Sequence, residues 1–332
     1  MKRRYLITGA QGLVGRQLAA KILEEDAEAE VLGTGRSSRN DSVFTHSISL
    51  GGEPRRAKVP VSLLGSLDRR YRYEQAPLLD GTGLRQALRE FRPDCVFHLA
   101  SALHAAPERE LFETNVEGTV SLMDALADAG GPLPLFVLGS SGSVYGRAAS
   151  LPIAEGDACN PAEMYGMTKL GAEHVTRIKA SRSGVPFVVA RIFNVVGPGQ
   201  SDGHVCGRLA AQLASIPRRP GAVLTVGALD TTRDFIDVRD VAAALLLLAR
   251  HGAHGTAYNV ASGRETPIHA VLSELLRIAG RAGEVEIVRH DDRPAGVPRH
   301  VADISRLRQL GFAPSRSLAA SLEDLFRYCQ TL

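Results

Sequence analysis

Cysteine is sparse in this chain and scattered. Cys95, Cys159, Cys206 and Cys329 show no metal-like spacing. That argues against a disulfide framework or a zinc site, and the four read as free thiols of a reducing cytoplasm. Long apolar runs are lacking: the longest, Val241 to Ala249, is too short to span a bilayer. No apolar h-region follows the basic start Met1-Lys-Arg-Arg, which argues against a signal peptide. Charge of one sign is lacking too. A net charge of +3 with both signs dispersed points to neither nucleic acid nor a membrane surface, although a slight basic excess suits an anionic small substrate. There is no internal repeat and no low-complexity tract. What is left is ordinary globular material: 332 residues, 44% apolar and 23% charged, enough for one large domain or two interleaved ones.

The first half alternates strand and helix patterns. Strands are expected at Tyr5 to Thr8, Val31 to Thr34, Tyr71 to Ala76, Cys95 to Ala100, Leu135 to Leu138 and Val185 to Arg191. Helices are expected at Leu13 to Glu25, Leu84 to Phe91, Phe112 to Ala129 and Met164 to Ser181. Such alternation implies βαβ units, hence an α/β fold with a doubly wound parallel sheet. The second half is less regular. Helices are expected at Val205 to Ile216, Pro267 to Ala279 and Leu318 to Tyr328, and short strands at Val223 to Val226 and Val285 to Val288. The stretch Asn40 to Arg70 is long, polar and broken by Gly51-Gly52, Pro54 and Pro60, and reads as a surface insertion without a catalytic role.

Ile7-Thr-Gly-Ala-Gln-Gly-Leu-Val-Gly15 joins a strand to a helix, with glycines at 9, 12 and 15. Glycine permits a tight turn and a close approach of backbone to a pyrophosphate, which the helix N-terminus then holds with its free N–H groups and dipole. The second strand ends in Gly33-Thr-Gly-Arg-Ser-Ser-Arg39. No carboxylate stands there to bond a ribose 2′-hydroxyl, whereas Arg36, with Ser37, Ser38 and Arg39 nearby, suits a 2′-phosphate. The expected cofactor is therefore NADP(H), with NAD(H) as the alternative.

Tyr165 and Lys169 lie one helical turn apart and so face the same way. An ammonium beside a phenol favours the phenolate and lowers its pKa. Ser141, upstream, can share the proton and polarise a carbonyl. Together the three can move a proton while a nicotinamide moves a hydride.

These residues resemble the extended short-chain dehydrogenase/reductase family, in its nucleotide-sugar (NAD-dependent epimerase/dehydratase) branch, over nearly the whole chain. The glycine loop, Ser140-Ser-Gly-Ser-Val-Tyr-Gly146, Tyr165-Gly-Met-Thr-Lys169, Arg191-Ile-Phe-Asn-Val-Val-Gly-Pro-Gly-Gln200 and Arg233-Asp-Phe-Ile-Asp-Val-Arg-Asp240 occur in the family's order. Tyr258-Asn259-Val260, Arg293-Pro294 and Asp303 to Leu307 resemble its C-terminal substrate elements. Within the branch the chain is most similar to GDP-4-keto-6-deoxy-mannose reductases. It departs from the pattern at Pro77, where an Asp is common near the adenine, and in the length of the 40–70 segment.

The resemblance implies a Rossmann dinucleotide-binding domain over 1–190, to which 228–262 returns, and a smaller C-terminal α/β substrate domain over 191–332. It implies Ser141, Tyr165 and Lys169 as catalytic residues. It implies dinucleotide contacts from Gly9, Gly12, Leu13, Val14, Gly15, Arg36, Ser37, Leu79, Asp80, Leu99, Ala100, Tyr165 and Lys169. Substrate contacts are implied for Ser143, Asn194, Val205, Arg208, Arg233 and Arg293, with no metal. The partner expected is a nucleotide-diphosphate sugar, and a homodimer is expected through the Tyr165 helix and the helix before it. His98 reads as a structural histidine, and Asn115 as a packing or water-relay residue. A 4,6-dehydratase of this kind carries Asp-Glu directly after the catalytic Ser or Thr, where this chain has Gly142 and Ser143. A 3,5-epimerase-reductase carries Cys where Ser143 stands. The expectation is reduction of a 4-keto group on a nucleotide-linked 6-deoxyhexose. A C4 epimerase remains as the alternative, and a non-catalytic dinucleotide sensor as one of another class.

Overall fold

The computed structural model describes residues 3–219, 221–289 and 296–332. In chain order the first half contains β1 (Arg4–Thr8), α1 (Leu13–Glu25), β2 (Glu30–Gly35), β3 (Val43–Leu50), β4 (Glu53–Lys58), α2 (Val61–Gly65), β5 (Tyr71–Gln75), α3 (Gly81–Phe91), β6 (Cys95–His98), α4 (Glu108–Phe112), α5 (Gly118–Asp128), β7 (Leu135–Ser141) and α6 (Met164–Ser183). The second half contains β8 (Phe187–Ile192), β9 (Asn194–Val196), α7 (Val205–Ser215), β10 (Ala222–Val226), β11 (Thr232–Asp237), α8 (Val238–His251), β12 (Ala257–Val260), β13 (Glu265–Pro267), α9 (Ile268–Ile278), β14 (Val285–Arg289), α10 (Ser305–Gln309) and α11 (Leu318–Gln330).

Among the described residues seven strands form one parallel sheet in the order β12-β8-β7-β6-β1-β2-β5. Its central strands are buried over most of their length, and Cys95-Val-Phe-His98 throughout, because helices cover both faces. One layer holds α3, α5 and α6, whose Leu84, Leu88, Leu122, Leu126 and Ala172 pack with Leu6, Val96 and Leu138. The other holds α1 and α8, which pack on each other and bring Leu18, Ile22, Val241 and Leu245 against Ile7, Phe97 and Val188. The strand order reverses between β1 and β6, so a crevice opens at their carboxyl ends.

The remaining strands and α7, α9 and α11 build a smaller α/β unit with β9-β11-β13 and the parallel pair β10-β14. The fold is the doubly wound α/β architecture expected. Three local expectations need correction. The apolar run at Val241 lies inside α8, a helix that the sequence pattern alone had left unassigned. The expected single helix at Phe112 to Ala129 is interrupted by a π-helical turn, Glu113–Glu117. That turn places buried Asn115, which bonds the backbone N and O of Ala102 and the hydroxyl of Thr168. The bulge thus directs an amide where a regular helix would not.

The third correction concerns 40–70. The segment is a β3–β4 hairpin followed by α2, not a surface loop. Its turn is Gly51-Gly52, both with positive φ (62° and 88°), as a two-residue hairpin loop with matching twist requires. Phe44, Ile48, Leu50, Ala57, Val59 and Leu63 are buried in the core shared with Leu209, Leu213, Leu325 and Phe326. The hairpin is therefore part of the smaller unit's core. Phe44→Ala is expected to cost about 3–5 kcal/mol in chemical denaturation; a loss below about 1 kcal/mol would mean that the hairpin is peripheral after all.

Candidate active site

A cavity of about 1070 Å³ runs from the crevice between β1 and β6 to the smaller unit. That is at the upper limit for a single small-ligand site. At one end lies the glycine loop. Gly9 has φ +69°, and a Cβ there would fall 2.7 Å from the Ala100 nitrogen. A Cβ on Gly15 would fall 2.4 Å from the Gly9 oxygen. Only glycine lets the chain turn and α1 start this close to the strand. Gly12 is the N-cap of α1 and gives no side-chain hydrogen bond, so the first N–H groups of the helix face the cavity uncapped. This cradle fits a dinucleotide pyrophosphate.

Leu13, Val14, Leu79, Leu99 and Ala100 line the same cavity, as do Arg36 and Ser37 at the end of β2. Arg36 is mostly exposed and its Nη1 lies 2.8 Å from a Glu110 carboxylate oxygen. The Ser37 carbonyl accepts from the Tyr73 hydroxyl (2.8 Å), and the Arg36 carbonyl from Gln75 (2.9 Å), which fixes the loop. Ala76, Pro77 and Leu78 add an apolar floor. Asp80 lies elsewhere: it caps α3, accepting from the Thr82 and Gly83 nitrogens, and does not line the cavity.

The structure brings Ser141, Tyr165 and Lys169 together in the middle of the cavity. Ser141 ends β7 and caps a short 3₁₀ turn, Gly142–Tyr145; its hydroxyl accepts from the Ser143 nitrogen (3.1 Å) and donates to the Ser143 hydroxyl (3.1 Å). Burial lowers the Lys169 ammonium to about 8, against the opposing pull of Glu173 one turn on. Glu173 is itself occupied, accepting from Ser140 (2.6 Å) and from both arms of Arg191 (3.0 and 2.8 Å). Burial raises the Tyr165 phenol above its usual value, with hydrogen bonding to Ser141 and Ser101 opposing that rise. The expected lowering of the phenol is not found: desolvation outweighs the hydrogen bonds to Ser141 and Ser101.

His98 fits its structural reading. It is buried, its ring nitrogens meet Thr8 (2.8 Å) and Thr119 (3.1 Å), and burial lowers it to about 3. His104 packs its ring on Tyr165, with centroids 4.1 Å apart, and its Nδ1 lies 3.2 Å from Glu163.

On the substrate side Ser143, Asn194, Val205 and Arg233 line the cavity. Asn194 donates to the Asp234 carbonyl (3.1 Å), and Arg233 to its own neighbour's carbonyl at Thr232 (2.7 Å). Arg208 lines a separate cavity of about 410 Å³ with Ser49 and Asp202. Arg293 lies outside the described residues. Among the lining residues that escaped the sequence reading are Thr45, His46 and His300, while Gln200, Ser201 and His204 lie in or beside the motif that ends at Gln200. His300 stands behind Gly142, bonded to its carbonyl at 3.0 Å and stacked on Phe193. A Cβ on Gly142 would fall 2.9 Å from the His300 ring and 3.0 Å from Phe193. No sequence signal links positions so far apart.

The profile of the NAD dependent epimerase/dehydratase family matches residues 5–261. A GDP-6-deoxy-D-mannose reductase of Pseudomonas aeruginosa is 40% identical over 209 residues, 60% of this chain and 67% of that protein. A UDP-glucose 4-epimerase of Azospirillum brasilense is 29% identical over 315 residues, 87% of this chain and 88% of that protein. Among solved structures, RMD from Pseudomonas aeruginosa complexed with NADPH superposes with a TM-score of 0.79 at 30% identity, covering 99% of both chains.

The lowered Lys169 has a consequence for stability. Between about 8 and its unfolded value of 10.5, the unfolded chain holds a proton that the folded one has released. Stability from this group therefore rises with pH across that window, and below it the buried charge is a constant penalty. Lys169→Met is expected to raise the melting temperature at pH 7 and to flatten that rise. An unchanged melting temperature would mean that the ammonium is well solvated.

Proposed function

The chain belongs to the NAD dependent epimerase/dehydratase family, and on that premise we propose that it reduces the 4-keto group of a nucleotide-activated 6-deoxyhexose. It is an NAD(P)-dependent oxidoreductase of the extended short-chain dehydrogenase/reductase type. The observation that carries the reading is the convergence of Ser141, Tyr165 and Lys169 at the junction of the glycine cradle and the smaller unit, in one continuous cavity.

The bound dinucleotide supplies the hydride. The chain's own residues do the rest. The Tyr165 phenol, held protonated by burial, donates its proton to the developing alkoxide. The Ser141 hydroxyl turns from Ser143 to the carbonyl oxygen and stabilises its charge. Lys169 would hold the ribose hydroxyls, and it brings positive charge to the cavity that the phenol lines. Arg233 and Asn194 meet the substrate pyrophosphate, with Arg293 proposed alongside them.

Dehydration is disfavoured because the position of the required Asp is Gly142, where a Cβ would crowd the rings of His300 and Phe193. A 3,5-epimerisation finds Ser143 in place of a cysteine. NADP(H) is the cofactor proposed. The Arg36–Glu110 pair is solvent-exposed, so exchanging it for a 2′-phosphate costs little. A GDP-linked substrate is favoured by the 40% identity to a GDP-6-deoxy-D-mannose reductase. We further read the protein as a homodimer through α5 and α6; Met167 and Ile178 of α6 expose apolar surface.

Purified protein is expected to oxidise NADPH with GDP-4-keto-6-deoxy-mannose or dTDP-4-keto-6-deoxyglucose, and Tyr165→Phe to lower that rate by at least about 100-fold. No oxidation with either, together with NAD released on denaturation, would replace the reductase with the C4 epimerase, which needs the same three residues. Arg36→Ala is expected to cost about tenfold in NADPH affinity and to leave NADH affinity unchanged; an unaltered preference would remove Arg36 from the 2′-phosphate site.

A further inference from the structure

The β3–β4 hairpin does more than fill the core. β3 pairs regularly with β4 from Ser47 to Leu50, and its register shifts between Val43 and Ser47, the irregular stretch that carries Thr45 and His46. Phe44, Ile48 and Leu50 are buried, while His46 stacks on Phe44 (centroids 5.6 Å apart) and, with Thr45, lines the same cavity as Tyr165. The hairpin is fastened at both ends. At its root the buried Arg16 guanidinium, just past the glycine loop, donates to the carbonyls of Asn40 and Val43, and Gln11 within the loop accepts from the Asn40 nitrogen. At its far side His46 Nε2 meets the Gly199 carbonyl at 2.8 Å, and the Ser49 nitrogen donates to Asp202 (3.1 Å). Gly199 has φ +91°, and a Cβ there would fall 2.4 Å from the Phe44 ring. So the hairpin grips the turn Gly199–Asp202 that leads into α7.

A carbonyl only accepts, so Nε2 of His46 carries a proton. Burial lowers the imidazole, which is therefore neutral at pH 7 with Nδ1 left as an acceptor. His46, His104 and His204, the N-cap of α7, line the same cavity, and the His104 ring packs on Tyr165. The hairpin thus adds an imidazole to the cavity that holds the phenol, where the reacting sugar carbon has to lie. We propose that the β3–β4 hairpin is a wall of the hexose subsite and that His46 contacts the sugar and helps set which hexose is accepted. This rests on the nucleotide-sugar reading given above. A neutral acceptor on a rigid strand matches a hexose hydroxyl, and a substrate without that hydroxyl would leave a desolvated ring nitrogen unpaired.

The test is calorimetric and needs no turnover. Full-length protein saturated with NADP⁺ is titrated with GDP-mannose, UDP-glucose and dTDP-glucose as stable 4-hydroxy probes, and with GDP, UDP and dTDP. Two variants are compared, His46→Ala and His46→Gln, the second retaining an N–H for the Gly199 carbonyl and so the seating of the hairpin. The expected result is a loss of about tenfold in nucleotide-sugar affinity in both. Affinity for the matching nucleoside diphosphate and for NADP⁺ should change less than about twofold. Unchanged nucleotide-sugar affinity in both variants overturns the proposal. So does an equal loss for the nucleoside diphosphate, which would put His46 on the nucleotide, or a loss confined to NADP⁺. If the wild type binds NADP⁺ but none of the three nucleotide sugars, the functional reading falls, and the proposal with it.

Discussion

The close approach of two backbone segments at the carboxyl ends of β1 and β6 is the constraint on which this structure depends. Gly9 lies against Ala100, and Gly15 against the carbonyl of Gly9. A methyl group at either point would collide with backbone, which cannot move aside as a side chain can. That contact starts α1 at the crevice with its N–H groups uncapped. It also sets where Gln11 and Arg16 stand, and through them the root of the hairpin. The cofactor cradle and one wall of the substrate end are thus linked through a few residues of one turn.

Behind the reacting groups lies a buried polar network. Arg191 pairs with Glu173 and donates to the Tyr145 hydroxyl, which in turn donates to Asn259. Asn259 reaches the carbonyls of Ile153 and Asp303. Asp234 accepts from Ser262, Gly263 and Ala302. A buried ion pair adds little net stability over apolar packing, and removing one partner is costly. Its use here is positional. It ties β7, β8, β12 and the segment at Ile153 to one another beside the cavity that Ser141 and Lys169 line from different elements. Asn259 and Asp234, in stretches that resemble substrate elements, serve as staples: both are fully buried.

Much of this was legible in the sequence because the signals are local. Periodicity marks α1, α3 and α6 to within a few residues, and β1 is legible as a short apolar run because both of its faces are buried. Tyr165 and Lys169 share a face by helix geometry alone. The hairpin carried a signal that polar composition masked: Gly51-Gly52 between alternating residues is a two-residue turn with paired strands, yet Ser49, Pro54 and two arginines read as loop. In α8 the apolar run hides a helical spacing: Val238, Val241, Ala242, Leu245 and Leu248 are buried at intervals of three and four.

What the sequence by itself determined is the chemistry available: a glycine cradle, a Tyr–Lys pair with a serine, and no acid or base beside that serine. These follow from residue type and short spacing, which the chain carries in one dimension. Only the tertiary structure decided the surroundings that tune them. Burial raised Tyr165 and lowered Lys169 against the expected direction for the phenol. Packing crowded the space at Gly142 with His300 and Phe193. The fold turned Asp80 to the cap of α3, put Arg208 in a different cavity and brought His46 to the wall of the main one. Desolvation and shape depend on contacts between residues far apart in the chain, and no local pattern encodes them.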